Sequence, residues 1–140
     1  MELEVSTVID RPISTVWDFY SVHHVENHPR WDPDVKLENP TDAPIGVGTV
    51  LKRRSTRFGN TTEGTMEFTE FEPERVLRAK IQDGPTTTDG WALFAAEGEN
   101  ETKLTIGGEF QDMDDSMKEM MRPLLEGAAA KIKSLIESET

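Results

Sequence analysis

The chain has 140 residues, a net charge of −12 at neutral pH and no cysteine. Such a length suits one domain with a core that needs no staples, and the missing thiols exclude disulfides and thiolate metal sites. The acidic balance argues against a nucleic-acid surface, which needs a basic patch, and against docking on anionic membranes.

No apolar run approaches the roughly eighteen residues of a membrane span, and no cationic-then-apolar leader follows Met1. A cytoplasmic protein with no stable membrane insertion is therefore expected. Glu2 to Asp10 alternates, with Leu3, Val5, Thr7 and Ile9 on one side, the pattern of a strand. Pro12 suits a first helical turn, where its missing amide has no partner to lose. Ile13, Val16, Trp17 and Tyr20 follow at helical spacing and predict a short helix over 13–20. A second short helix is expected over 21–27, stopped by Pro29, which disfavours helical backbone at His28. Trp31-Asp32-Pro33-Asp34 is turn chemistry, Val35 to Leu37 a short edge strand, and the prolines and glycines of 39–48 a loop. From there the period is two. Residues 48–58, 62–71, 75–82, 86–96 and 102–110 read as consecutive strands, joined by turns short enough to make neighbours antiparallel.

From Asp114 to about Glu137, steps of about 100° collect Met117, Met120, Met121, Leu124, Leu125, Ala128, Ile132, Leu135 and Ile136 on one face. That is an amphipathic helix laid on something, roughly 35 Å long. Asp112, Asp114, Asp115 and Ser116 supply acceptors and negative charge at its start. Pro123 removes an amide and crowds the Glu119 carbonyl, predicting a kink or short break at 119–123. The order predicts one α+β domain over residues 1–140. A curved antiparallel sheet of about six to seven strands carries two short helices and the long C-terminal helix on its concave face. The small residues Gly127 to Ala130 and Gly107-Gly108 either leave a gap between helix and sheet or let the two pack closely.

The runs Val8-Ile9-Asp10-Arg11-Pro12-Ile13-Ser14-Thr15-Val16-Trp17-Asp18-Phe19 and Asn27-His28-Pro29-Arg30-Trp31-Asp32-Pro33-Asp34-Val35 resemble the START-like (SRPBCC) superfamily, in its polyketide cyclase/dehydrase-like branch. The resemblance continues at Gly46 to Thr49, Phe68 to Pro73, Glu101 to Ile106 and Arg122 to Glu126. It implies a helix-grip fold, in which the sheet grips the terminal helix around a hydrophobic cavity. It further implies binding of a small, lipid- or polyketide-like apolar ligand. The alternatives it carries are a cyclase/aromatase-type enzyme and a protein-interaction module related to chaperone co-factors. Fold does not fix which.

Strand alternation places Leu51, Met66, Phe68, Leu77, Trp91 and Leu93 on inward faces, with Ile81, Leu104 and Ile106. With Trp31 at the cavity mouth and Met117, Met121, Leu124 and Ala128 on the helix, these are the candidate ligand-binding residues. Methionines 113, 117, 120 and 121 cluster at the helix start, a composition suited to a deformable entrance. Arg53 and Arg57 share the face of Leu51, and an inward arginine needs a carboxylate partner, for which Asp89 is in place, or a ligand's anionic head. Asp89 as acid or base and Arg53 as oxyanion stabiliser are what an enzymatic reading uses, with Glu63, Glu67 and Tyr20 also at hand. Glu63 and Glu67 most simply face solvent. There is no Ser/His/Asp signature, phosphate loop or nucleotide fingerprint, and no cofactor is expected. No metal is expected either: His24 and His28 are i,i+4, but Pro29 takes His28 out of the helix, Glu26 is the one obvious third ligand, and the histidines read as exposed loop residues. The partner expected is a small apolar molecule, and the sequence leaves monomer and homodimer both open.

Overall fold

The structure, a computed structural model, describes residues 2–57, 59–111 and 114–140. Asp112, Met113 and the Arg57 side chain lie outside the described residues. Strand β1 (Glu2–Ile9) leads into helix α1 (Ile13–Trp17), a π-helical turn (Asp18–Val22) and helix α2 (His24–Trp31). Strands β2 (Val35–Glu38), β3 (Val50–Arg57), β4 (Asn60–Glu72), β5 (Val76–Asp83), β6 (Thr86–Gly98) and β7 (Glu101–Phe110) follow, then helix α3 (Asp115–Glu139). The strands form one antiparallel sheet in the order β1-β7-β6-β5-β4-β3-β2. The chain thus crosses from one edge to the other through α1 and α2, then meanders back until β7 pairs with β1. Among the described residues no helix is long and apolar enough to cross a membrane.

The core lies on the concave face. Ile9, Leu51, Met66, Phe68, Leu77, Ala92, Phe94, Leu104 and Ile106 of the sheet pack with Val16, Trp17, Phe19, Tyr20 and Trp31 of the helical crossing and Ala129, Ile132 and Ile136 of α3. Trp17 stands edge-on to Phe71 and Phe94, with ring centres 5.1 and 5.0 Å away, and Tyr20 stacks on Trp31 at 5.0 Å. Such pairs add about 0.5–1.5 kcal/mol each beyond area burial.

On β6 the faces are the reverse of those expected. Ala92 and Phe94 are buried inward, whereas Leu93 is 38% exposed. The Trp91 ring is on the outer face: its Nε1–H donates to Glu4 Oε2 at 2.6 Å, and the Arg78 guanidinium lies over it at 4.8 Å. Glu4, Gly107, Trp91 and Arg78 are cross-strand neighbours in one row. The run Trp91-Ala92-Leu93-Phe94 is apolar on both faces, so alternation alone does not decide its sense. The tryptophan is buried by a bare glycine and two long polar side chains instead of by the core.

Helix α2 departs from expectation at its proline, and α3 has no break at Pro123. Helix α2 runs through Pro29 to Trp31, and α3 is continuous through Pro123. Pro123 has no amide to donate to the Glu119 carbonyl, and both residues are exposed, so the lost bond leaves no buried acceptor unmet. The N-cap of α3 is Asp114, whose Oδ1 accepts from the Met117 amide at 2.8 Å.

Helix α3 is fastened at one end. Arg11 Nη2 donates to the Glu137 carbonyl at 2.6 Å and its Nε to Thr140 Oγ1 at 3.0 Å, placing a cation on the negative end of the helix. Arg30 pairs with Glu139 from α2. Lys133 Nζ donates to the Val8 carbonyl at 2.6 Å and the Asp10 amide to Glu137 Oε2 at 2.8 Å, closing the open edge at the end of β1. Ala129, Ile132 and Ile136 are accordingly buried. Met117, Met120 and Leu124 of the same stripe are 46%, 68% and 63% exposed. The second half of the stripe lies against the sheet, and its first half, where the methionines cluster, is largely open.

Candidate functional site

Where α3 stands off the sheet a cavity of about 540 Å³ remains. Met66, Leu77, Ala79, Ile81, Gly90 and Ile106 form its sheet wall, and Met121, Leu124, Leu125 and Ala128 its helix wall. Small residues at 79, 90 and 128 leave the width. Tyr20, His24, His28 and Trp31 close one side, and Asp32, Pro33 and Asp34 continue that wall. A smaller groove, about 370 Å³, runs between β1 and α3 beside Lys133 and Glu137. Those two side chains are already engaged with the β1 edge.

Arg53 points inward from β3 with its side chain 7% exposed. Its Nε donates to both oxygens of Asp83, at 2.9 and 3.2 Å. The pair reaches across β4 at Gly64, which is in register with both residues. A Cβ at Gly64 would stand 1.7 Å from the Gln82 carbonyl oxygen, so no other residue fits this backbone. Arg53 Nη1 is buried and has no hydrogen-bond partner. An unmet buried donor costs about 1–3 kcal/mol, more for a charged group.

The histidines form a chain whose tautomers are set by chemistry. His24 is 1% exposed, and its Nδ1 lies 2.8 Å from the Tyr20 carbonyl oxygen, which only accepts. Nδ1 therefore carries the proton, and Nε2 accepts from His28 Nδ1–H at 2.8 Å. The basic nitrogen of neutral His28 is then Nε2, 3.9 Å from Asp32 Oδ2. Burial pushes the His24 imidazole down from 6.5 to about 4; the Tyr20 carbonyl opposes this and the Arg53 charge adds to it. Burial also holds the Tyr20 phenol protonated far above its usual range. Only His23 is an exposed histidine of the kind expected. Among the described residues no group of three or more His, Asp or Glu suits a metal ion.

Of the candidate ligand-binding residues, Trp31, Arg53, Met66, Leu77, Met121, Leu124 and Ala128 line the cavity. Trp91 borders it beside Gly90 and Gly107 while its ring lies on the other face. Leu51 and Phe68, 0% and 1% exposed, are packed into the core away from the hollow, Leu93 is on the convex face, and Met117 is on the uncovered part of α3. Asp89 is on the convex face too, where Arg78 Nη1 donates to its Oδ2 at 2.9 Å, so it is not the partner of Arg53. Glu63 and Glu67 are exposed. Asp83, His24 and His28 were not selected from the sequence. The spacing of Tyr20, His24, His28 and Trp31 is a helical stripe that Pro29 concealed, and Asp83 is found only through strand register.

The family model described as polyketide cyclase/dehydrase and lipid transport matches residues 1–137. No curated protein sequence matches the chain. Among solved structures, a START superfamily protein from Mycobacterium smegmatis superposes with a TM-score of 0.77 at 13% identity, over 99% of both chains. The Zhui aromatase/cyclase from Streptomyces sp. R1128 gives 0.72 at 15%, over 98% of this chain and 93% of its own. Truncated norcoclaurine synthase from Thalictrum flavum gives 0.71 at 17%, over 100% and 95%. At such identities the likeness is one of fold, the helix-grip arrangement of seven strands and a long terminal helix.

Proposed function

Because the chain belongs to the polyketide cyclase/dehydrase and lipid transport family, we propose that it binds one small, mostly apolar molecule between the sheet and α3, oriented by Arg53. The observation that carries this reading is the buried, unpartnered Nη1 of a side chain lining an otherwise largely apolar hollow. About 540 Å³ falls within the range of small-molecule sites, and an acceptor atom on the ligand restores the hydrogen bond that the protein leaves unmade. A diffusible cytoplasmic protein is the setting this implies. Native mass spectrometry of protein purified from its host, followed by extraction, should show one apolar molecule per binding site. Arg53→Met should weaken binding roughly tenfold, the worth of one buried hydrogen bond to a charged group. An empty protein that no member of a lipid and polyketide-like panel stabilises against heat counts against the reading.

The histidine chain favours a second reading, an enzyme of the aromatase/cyclase type using the same cavity. In its neutral form, with the tautomer that His24 imposes, His28 has Nε2 as the basic nitrogen in the cavity wall, and Arg53 Nη1 donates to the substrate carbonyl that the reaction polarises. Here His28→Gln should abolish turnover of a polyketide-like substrate while ligand affinity stays within a few-fold. Unchanged turnover removes His28 from the chemistry.

A further inference from the structure

We propose that the cavity selects an uncharged molecule bearing a carbonyl or similar acceptor at its polar end, and discriminates against carboxylates and phosphates. This rests on the cavity being the ligand site and states what kind of ligand it takes. Arg53 is the only lysine or arginine among the described residues lining the hollow. Its charge is already matched, because Nε contacts both oxygens of Asp83. What remains at Nη1 is its pair of N–H donors, not an uncompensated cation.

An acceptor without charge takes one or both of these donors and meets no opposing charge. An anionic head placed on the same guanidinium sits within a few ångströms of the Asp83 carboxylate. Two carboxylates sharing one site repel strongly where water is largely excluded. Among the described residues, the other titratable groups around the cavity do not relieve this. His24 is neutral well below pH 7 and Tyr20 is a protonated phenol. His28 stands beside Asp32, its Nε2 3.9 Å from a carboxylate oxygen. The net charge of −12 lowers the local concentration of anions further.

A shape-matched pair of probes tests this: 2-acetylnaphthalene, a neutral ketone, and 2-naphthoate, its carboxylate counterpart, titrated by calorimetry at pH 7.5. The wild-type protein should bind the ketone at least tenfold more tightly. A carboxylate is also the better hydrated of the two, so the deciding quantity is how that ratio changes when Asp83 loses its charge. Asp83→Asn should tighten naphthoate at least tenfold and move the ketone less than threefold. If the variant does not fold, calorimetry of the wild-type protein in buffers of different ionisation enthalpy should show naphthoate binding with uptake of a proton and the ketone binding with none, since two carboxylates in one site relieve their repulsion by protonating one of them. Naphthoate binding as tightly as the ketone, or a ratio that the substitution leaves unaltered together with naphthoate binding without proton uptake, overturns the selection while leaving the cavity a ligand site. Binding of neither probe up to its solubility overturns both.

Discussion

Protonating His24 inside the fold would break its bond from His28 and set a second cation near Arg53. The unfolded chain takes up this proton near pH 6.5, the native protein only near 4. Between those values the unfolded state binds more protons, so stability is full above about 6.5 and falls as pH drops towards 4. The loss is at most about 3 kcal/mol. Glu137 is held below its usual 4.5 first by the Asp10 amide and then by Lys133. Its depressed value has the opposite origin, a favoured anion, and its contribution is lost only below about pH 4.5. Urea midpoints from pH 7 to 4.5 should therefore fall in the wild type and fall less steeply in His24→Asn, which keeps a donor near the Tyr20 carbonyl but does not titrate. The variant should also cost about 1–3 kcal/mol at pH 7 through lost packing. An unaltered slope would show that some other group carries the acid sensitivity. None of this was legible from His24 alone: its i,i+4 partner is visible in the sequence, but its burial depends on α2 continuing through Pro29.

At the level of elements, the terminal helix shows what periodicity does and does not convey. A spacing near 3.6 identifies the residues that share a face, so the α3 stripe from Met117 to Ile136 was legible. It does not say what the face meets. Arg11, Arg30, Lys133 and Glu137 all act on the second half of the fold's last helix, and no long-range polar fastening of that kind acts on its first half among the described contacts. The strands were legible to within a few residues because short turns force antiparallel neighbours, yet β6, apolar on both faces, had no pattern to orient it. Lys133 and Glu137 form an i,i+4 pair, 2.6 Å apart, that also satisfies the carbonyl of Val8 and the amide of Asp10 at the β1 edge. Lys133→Ala and Glu137→Ala should each destabilise by about 0.5–1.5 kcal/mol. The double variant should lose less than the sum, because each partner positions the other. Strict additivity in a double-mutant cycle would mean that the two cap the edge independently.

For the molecule as a whole, the hollow follows from two features acting together: a helix fastened at its far end, and small residues at Ala79, Gly90 and Ala128 where its near end crosses the sheet. Gly127 to Ala130 announced the thinning of the helix, but a run of small residues is equally compatible with close packing, so the cavity itself is not readable from the sequence. A side chain large enough to occupy the space separates the two roles of this region. Ala128→Trp projects an indole from the helix wall into open volume, where packing gains and lost hollow roughly offset. Its stability without ligand should stay within about 1 kcal/mol of the wild type, in contrast to the larger cost of overfilling a packed core. Wild-type protein with ligand at about a hundred times Kd should gain about 2.7 kcal/mol, a clear rise in Tm by scanning calorimetry. In Ala128→Trp that rise should vanish. If it persisted at full size, the ligand would be held outside the hollow, for instance on the exposed stripe of Met117, Met120 and Leu124. A variant that instead lost several kcal/mol without ligand would show the helix and sheet closing on each other in solution, with no standing cavity for a ligand to enter.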